Sequence, residues 1–137
     1  MTIETKPDAV ERMAAAETDD PVVMLDLLRY RVQAEDGHGV DGMTGQAAYR
    51  EYGKRIAELN PRFGGEPIWM GRAGDLVIDD EEWDIVILVR YPTRRHFVAM
   101  LADPDDQAIA PIRFAALADS RLIETTQLRP SPGRSGR

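Results

Sequence analysis

The sequence predicts an α+β fold in which a four-stranded antiparallel sheet carries helices on one face. Two apolar runs of strand length, residues 21–31 and 83–93, are the main basis for this prediction. Both are rich in Val, Leu and Ile, and both reach an Arg-Tyr pair near their ends, Arg29-Tyr30 and Arg90-Tyr91. Because neither run alternates cleanly between apolar and polar residues, both should be covered on two faces and lie at the centre of the sheet.

The N-terminal arm, residues 1–20, is polar and precedes the first strand. Pro7 opens a short predicted helix with a narrow apolar stripe, so we expect an arm that packs loosely or lies over a neighbouring subunit. The domain itself spans residues 21–128 and begins with a strand over about 22–32. The following loop, 33–42, is rich in glycine and acidic residues and is predicted to be a flexible flap.

The first long helix is predicted from Thr44, a good N-cap, to Leu59, because apolar residues recur at spacings of three and four. The second strand, over 66–78, contains Pro67 and two glycines, which predict a bulge or a bend and an edge position. Four acidic residues at 79–82 form the next turn, and this composition is more typical of a soluble hairpin tip than of a metal site.

After the third strand, Thr93 can cap a second helix that Asp103-Pro104 ends. Asp103-Pro104 also caps a further helical stretch, which Pro111 should interrupt or restart. The fourth strand is predicted over 121–128, and the tail 129–137 should be disordered. The order βαββαβ is that of a ferredoxin-like fold. Its uncovered apolar sheet face predicts a homodimer that closes face to face.

Composition argues against several function classes. A net charge of -7 and a pI near 4.8 argue against nucleic acid and against an anionic membrane surface as partners. The chain has no Cys, which removes disulfides, thiolate metal sites and cysteine nucleophiles. It shows no signal-peptide core and no run near the roughly 18 apolar residues of a membrane span, so the cytoplasm is the expected compartment.

Several segments between 22 and 127 together form a pattern that suggests a family. They are VVMLDLLRYR at strand one, YREYG at 49–53, the Gly64-Gly65 turn, and LVRYPTRRHF followed by MLADPDDQAIAPIR. The pattern resembles domain-of-unknown-function family thirteen-thirty, in the dimeric α/β-barrel superfamily of antibiotic-biosynthesis monooxygenases, muconolactone isomerases and chlorite dismutases. Here Asp26 stands where Asn is common, Thr93 replaces the usual Ser, and Asp106 sits where Tyr is frequent. The resemblance implies a dimeric α/β barrel and leaves the reaction open.

The densest chemical feature lies where the third strand meets the N-terminus of a helix. Its residues are Arg90, Tyr91, Arg94, Arg95 and His96. Such a cluster could hold a carboxylate or a phosphate, and His96 could act as a general acid or base. Alternatively, the outer arginines are solvated, Arg90 pairs with an acid such as Asp26 or Asp84, and His96 caps the helix or lies at the surface.

Asp26 is a carboxylate inside an apolar strand. It should pair with an Arg or Tyr from a neighbouring strand, or serve as a base with a raised pKa. Alternation places it on the same sheet face as Met24, Leu28 and Tyr30, with Arg29 on the opposite face. Which face meets the helices is left open.

No cofactor is predicted. His38 has no second His at ligand spacing, nothing marks a proximal haem ligand, and no Gly-rich phosphate loop follows a strand. A metal site is therefore not expected either.

Two hypotheses for function follow. The first is a cofactor-independent enzyme, a proton-transfer isomerase or cyclase or a monooxygenase, acting on a small anionic or phenolic metabolite, with Asp26 and His96 as catalytic candidates. Its candidate substrate-binding residues are Arg29, Tyr30, Arg90, Tyr91, Arg94 and Arg113. The second is a non-catalytic homodimer that binds a small organic anion or another ligand, or serves as an accessory subunit.

Overall fold

The structure, a computed structural model, describes residues 4–129. Its strands are β1 (Val22–Tyr30), β2 (Glu66–Arg72), β3 (Ile85–Tyr91) and β4 (Leu117–Thr125). They form one sheet in the order β2-β3-β1-β4, with antiparallel neighbours throughout. The two apolar runs are therefore its central strands, as predicted. β2 lies at an edge, and its register shifts between Pro67 and Trp69, which confirms the predicted bulge.

The helices are α1 (Pro7–Ala14), α2 (Gly45–Leu59), α3 (Arg94–Ala102) and α4 (Pro104–Ala116), and a short 3₁₀ helix, Asn60–Phe63, extends α2. The predicted caps are confirmed. The side chains of Thr44, Thr93 and Asp103 accept hydrogen bonds from backbone N–H groups in the first turns of α2, α3 and α4. Each bond satisfies a donor that has no partner within its own helix.

Several details of the elements differ from the sequence prediction. Pro111 does not interrupt α4, because its ring removes one backbone hydrogen bond while the buried side chains of Ile109, Ile112 and Ala115 still hold the helix on the core. β2 ends at Arg72 rather than at residue 78, and β4 already begins at Leu117, directly after α4. Leu117, the first residue of β4, is fully buried, and this burial favours a strand that begins immediately after the helix.

The sheet face that carries Asp26 is the one that meets the helices. Met24 packs in a buried cluster with Leu59 of α2 and Phe97 of α3, and the ring of Tyr30 lies 5.9 Å from that of Tyr49. Since side chains alternate along a strand, Leu25, Leu27 and Arg29 point to the opposite face.

The N-terminal arm packs on its own chain rather than loosely. Met13 of α1 is only 5% exposed and joins the cluster around Phe97 and Met100. Arg95 donates hydrogen bonds to the carbonyl oxygen of Ala16 and to the carboxylate of Asp19. The predicted disordered tail lies outside the described residues from position 130 onward.

The second face of the sheet, here called the open face, is apolar at its centre, and no helix within residues 4–129 packs on it. Its central side chains are Leu25 and Leu27 of β1, with Leu88 and Val86 opposite them on β3. Trp69 of β2 and Ile123 of β4 flank them and are 55% and 49% exposed. Among residues 4–129, no helix is long and apolar enough to cross a bilayer.

Candidate functional site

A cavity of about 530 Å³ lies between the helix-covered face of the sheet and the helices α2, α3 and α4. Its floor includes Met24 and Asp26 of β1 and Ile87 and Val89 of β3. Most of its lining is apolar, and a few polar groups converge on it. This volume falls within the roughly 300–1,000 Å³ range of small-molecule sites.

Asp26 is the carboxylate on this floor. Its side chain is 17% exposed, and Oδ1 lies 3.4 Å from Nη2 of Arg113. Burial raises the pKa of Asp26 to about 6, although the nearby Arg113 charge and its hydrogen bond favour the ionised form. A carboxylate tuned in this way can accept a proton near neutral pH.

Arg113 comes from α4 and reaches the floor from the helix side. Its Nη2 atom also lies 3.4 Å from Oγ of Ser120 on β4. The same helix face carries Asp106, Ala110 and Phe114, all of which line the cavity. Spacings of four, seven and eight residues from Asp106 place them on that face. Thus α4 brings one cation and one further carboxyl group into the cavity.

Asp106 is only 8% exposed. Burial is the main reason that its pKa is raised to about 6, the neighbouring Asp103 raises it further, and Arg113 acts in the opposite direction. No described residue donates a hydrogen bond to its carboxylate. The side chain therefore lines the cavity without a hydrogen-bond donor among the described residues.

Two tyrosines of α2, Tyr49 and Tyr52, form part of the cavity wall. Their rings lie 5.4 Å apart. Burial raises the pKa of both hydroxyls far above the ordinary value of 10.0, so both remain protonated and can donate a hydrogen bond. At another part of the wall, Tyr91 donates to Oδ1 of Asn60 over 3.1 Å.

Of the predicted site residues, the structure brings Asp26, Tyr91 and Arg113 to the cavity. Tyr30 lies on the same face, where its ring contacts Tyr49. Its backbone N–H donates to Asp84, which was one of the acids considered as a partner for Arg90.

The other predicted site residues lie elsewhere. Arg29 and Arg90 belong to the open face, where Arg29 lies 3.9 Å from Asp119. The side chain of Arg94 binds Glu124 over 2.6 Å, and Nδ1 of His96 lies 2.7 Å from Oγ1 of Thr93. These four residues are absent from the cavity lining, so the cluster at 90–96 does not form one site.

The sequence predicted the wrong element for the partner of Asp26. An Arg or Tyr was expected from a neighbouring strand, whereas Arg113 comes from α4. From the sequence, Asp106 was noted only as a departure from a family pattern, and Tyr49 and Tyr52 were not included among the candidate site residues. The spacing of seven between Asp106 and Arg113 is the signal that could have placed them on one helix face.

Metal-ligating residues do not cluster in the described part of the chain. No group of three or more His, Cys, Asp or Glu residues within 4–129 is arranged to hold an ion. His38 has one acidic neighbour, Glu35, at 3.5 Å.

Comparisons with known proteins agree with this architecture. RPA0582 from Rhodopseudomonas palustris, a protein of unknown function, is 34% identical with a TM-score of 0.85, and the match covers 93% of this chain and 98% of that one. A dimeric protein of unknown function and ferredoxin-like fold from Bacteroides fragilis is 12% identical with a TM-score of 0.54, over 78% and 96% of the two chains.

SnoaB, a cofactor-independent oxygenase from Streptomyces nogalater, is 16% identical with a TM-score of 0.57, over 82% and 98% of the two chains. At such low identities, the last two proteins show the fold alone, and this fold is ferredoxin-like as predicted. Among curated proteins, none matches the sequence. Residues 40–126 match the family model named Domain of unknown function (DUF1330), and the chain therefore belongs to that family, as its sequence pattern predicted.

Proposed function

We propose that this protein is an enzyme that removes a proton from a small, mainly apolar compound, with Asp26 as the general base and Arg113 as the group that stabilises the resulting oxyanion. The observation that carries the proposal is the buried pair of Asp26 and Arg113, 3.4 Å apart, on the floor of an apolar cavity. The step uses only side chains of this chain.

The charges of the cavity favour a neutral substrate over a preformed anion. Three described carboxylates, Glu4, Asp26 and Asp106, line it, and Arg113 is the one cation among its described lining residues. When all three carboxyl groups are ionised, these four side chains carry a net charge of minus two, which would repel an anion. A phenol or an enolisable ketone enters uncharged and gains negative charge only after Asp26 has accepted its proton.

The wall is suited to an aromatic compound. Tyr49, Tyr52 and Phe97 offer ring faces and edges, and Met24 and Met100 offer adaptable apolar contacts. The oxygenase SnoaB shares the fold, which is compatible with chemistry that needs no cofactor, although the likeness concerns the fold alone.

We further propose that the protein acts as a homodimer that closes on the open face. Leu25, Leu88 and Trp69 form the centre of an apolar surface that one chain alone leaves in water. The Bacteroides fragilis neighbour with a ferredoxin-like fold is itself dimeric. Pairing two such faces would bury both.

Proton exchange tests the enzymatic proposal. Allyl phenyl ketone carries acidic protons between its carbonyl group and its double bond, and NMR in heavy water follows their replacement by deuterium. The wild type should accelerate this exchange, and Asp26→Asn should lose about a hundredfold or more of the acceleration. Asp36→Asn, which changes an exposed loop acid, is the matched control and should exchange like the wild type.

Two results would contradict the proposal. One is wild-type protein that leaves the exchange rate at its buffer value, and the other is equal acceleration by Asp26→Asn. If the ketone binds without exchange, the alternative function as a non-catalytic binding protein is supported instead.

A further inference from the structure

We propose that Asp106 is a second proton-transfer residue of this cavity, and that the enzyme moves a double bond by taking a proton with Asp26 and returning one with Asp106. The inference rests on the proposed function of Asp26 and adds a reaction class, the isomerisation of an unsaturated ketone. Its substrate class is a neutral ketone with a double bond one carbon away from conjugation.

The placement of Asp106 is the first argument. The residue is 8% exposed, it lines the cavity, and its carboxylate receives no hydrogen bond from a described residue. An ionisable group buried in this way lowers the stability of a fold, because no described partner compensates its desolvation, and costs of this kind are common at functional sites. A carboxyl group directed at a cavity can instead give a proton to the compound inside it.

Helix geometry provides the second argument. Asp106 and Arg113 lie two turns apart on the same face of α4, and the small Ala110 lies between them. Asp26 approaches Arg113 from the sheet. A planar substrate whose oxyanion contacts Arg113 would therefore have Asp26 on the sheet side and Asp106 on the helix side.

The surroundings of the two carboxyl groups assign their roles. Asp26 has the hydrogen bond from Arg113, which favours its ionised form and hence its use as the base. No described residue donates such a bond to Asp106, and the neighbouring carboxylate of Asp103 disfavours its ionisation, which suits a proton donor. The other titratable groups that interact with Asp106 are Arg113 on α4, Tyr52 on α2 and Tyr91 on β3. Burial raises the pKa of both carboxyl groups to about 6, so the hydrogen bond from Arg113 to Asp26, and not a difference between the two pKa values, assigns the roles.

The reaction balances without a further reactant. Asp26 accepts the proton from the carbon between the carbonyl group and the double bond, and the electron pair of that C–H bond forms a dienolate whose oxygen faces Arg113. Asp106 gives its proton to the far carbon of the old double bond. The conjugated ketone leaves, and exchange of one proton from Asp26 to water and one from water to Asp106 restores the site.

The test uses allyl phenyl ketone again, but follows its conversion into the conjugated propenyl phenyl ketone by ultraviolet absorbance. Asp106→Asn should lose about a hundredfold or more of this conversion. Its acceleration of proton exchange next to the carbonyl should stay within about threefold of the wild type, because Asp26 still performs that step. Loss of conversion with retained proton exchange distinguishes a proton donor from a residue that only maintains the fold. A variant that still exchanges protons must have an intact cavity.

Asp105→Asn is the matched control, because this neighbouring acid is 69% exposed and pairs with Arg62 outside the cavity. It should convert the ketone at the wild-type rate. Conversion by Asp106→Asn at a rate close to the wild type would overturn the inference and leave the role of Asp26 standing. Wild-type protein that neither exchanges nor converts the ketone would overturn both, and exchange without conversion would overturn the isomerase alone.

Discussion

Asp26 shows how one residue connects the stability of this fold with its proposed chemistry. It stands in a central strand among Val, Met and Leu, where an apolar residue would pack without desolvating a charge. The desolvation outweighs the attraction of Arg113, and the pKa of Asp26 rises to about 6. The ionised form therefore lowers the stability of the folded state at neutral pH, a cost that is common at functional sites.

This cost predicts a pH dependence of folding. The folded state holds the proton of Asp26 more tightly than the unfolded state, whose pKa is near the ordinary 3.8. Its contribution to stability is complete below that value and is lost as the pH rises through about 6. Over this range the free energy of unfolding should fall by up to about 3 kcal/mol more in the wild type than in Asp26→Asn.

Urea unfolding at several pH values between about 4 and 7 measures this difference. The Asp36→Asn control should follow the wild-type curve, since its side chain is exposed. Parallel curves for wild type and Asp26→Asn would show that the carboxyl group has an ordinary pKa.

At the scale of elements, the position of α2 depends on Gly45, its first residue. A Cβ atom there would collide with the carbonyl oxygen of Arg31 and lie 2.7 Å from that of Ala116. The helix thus begins in direct contact with the end of α4 and the residue after β1. This contact sets the direction in which α2 carries Tyr49 and Tyr52 into the cavity.

We predict that Gly45→Ala lowers the free energy of unfolding by about 1–3 kcal/mol or more, because a backbone atom cannot move away as a side chain can. Gly53→Ala is the matched control within the same helix. Its Cβ would meet nothing within 4 Å, so it should stabilise α2 by about 0.5–1 kcal/mol. Urea unfolding of both variants checks the prediction, and equal effects of the two changes would contradict it.

The elements also show how far sequence alone reaches. Apolar runs, caps at Thr44 and Thr93, and the proline of β2 were sufficient for the element types, the central strands and the edge position of β2, because these signals lie within single segments. The pairing of Asp26 with Arg113 joins residues 87 positions apart and depends on how α4 crosses the sheet. The periodicity of apolar residues shows which face of a helix is buried but not where the helix crosses the sheet, so the site was predicted only in part.

At the scale of the whole molecule, the open face is a large apolar surface that a single chain exposes to water. Leu88 lies at its centre, between Leu25 of β1 and Trp69 of β2. We predict that Leu88→Arg disrupts the proposed homodimer, because a charge at this position would have to be buried without a partner.

Light scattering coupled to size exclusion measures the change. The wild type should have twice the chain mass of 15.3 kDa, and Leu88→Arg should have 15.3 kDa. Val32→Arg is the control, because Val32 is 91% exposed and lies outside the strands. A wild type that runs as a single chain at micromolar concentration would contradict the proposed dimer.

The protonation of Asp26 is the most direct test of the central claim, which is that the cavity holds a carboxyl group prepared to accept a proton. Isotope-edited NMR can follow the aspartate carboxyl resonances with pH, and the signal that disappears in Asp26→Asn assigns the residue. The account predicts a midpoint near 6 for Asp26. A midpoint at or below the ordinary 3.8 would contradict it.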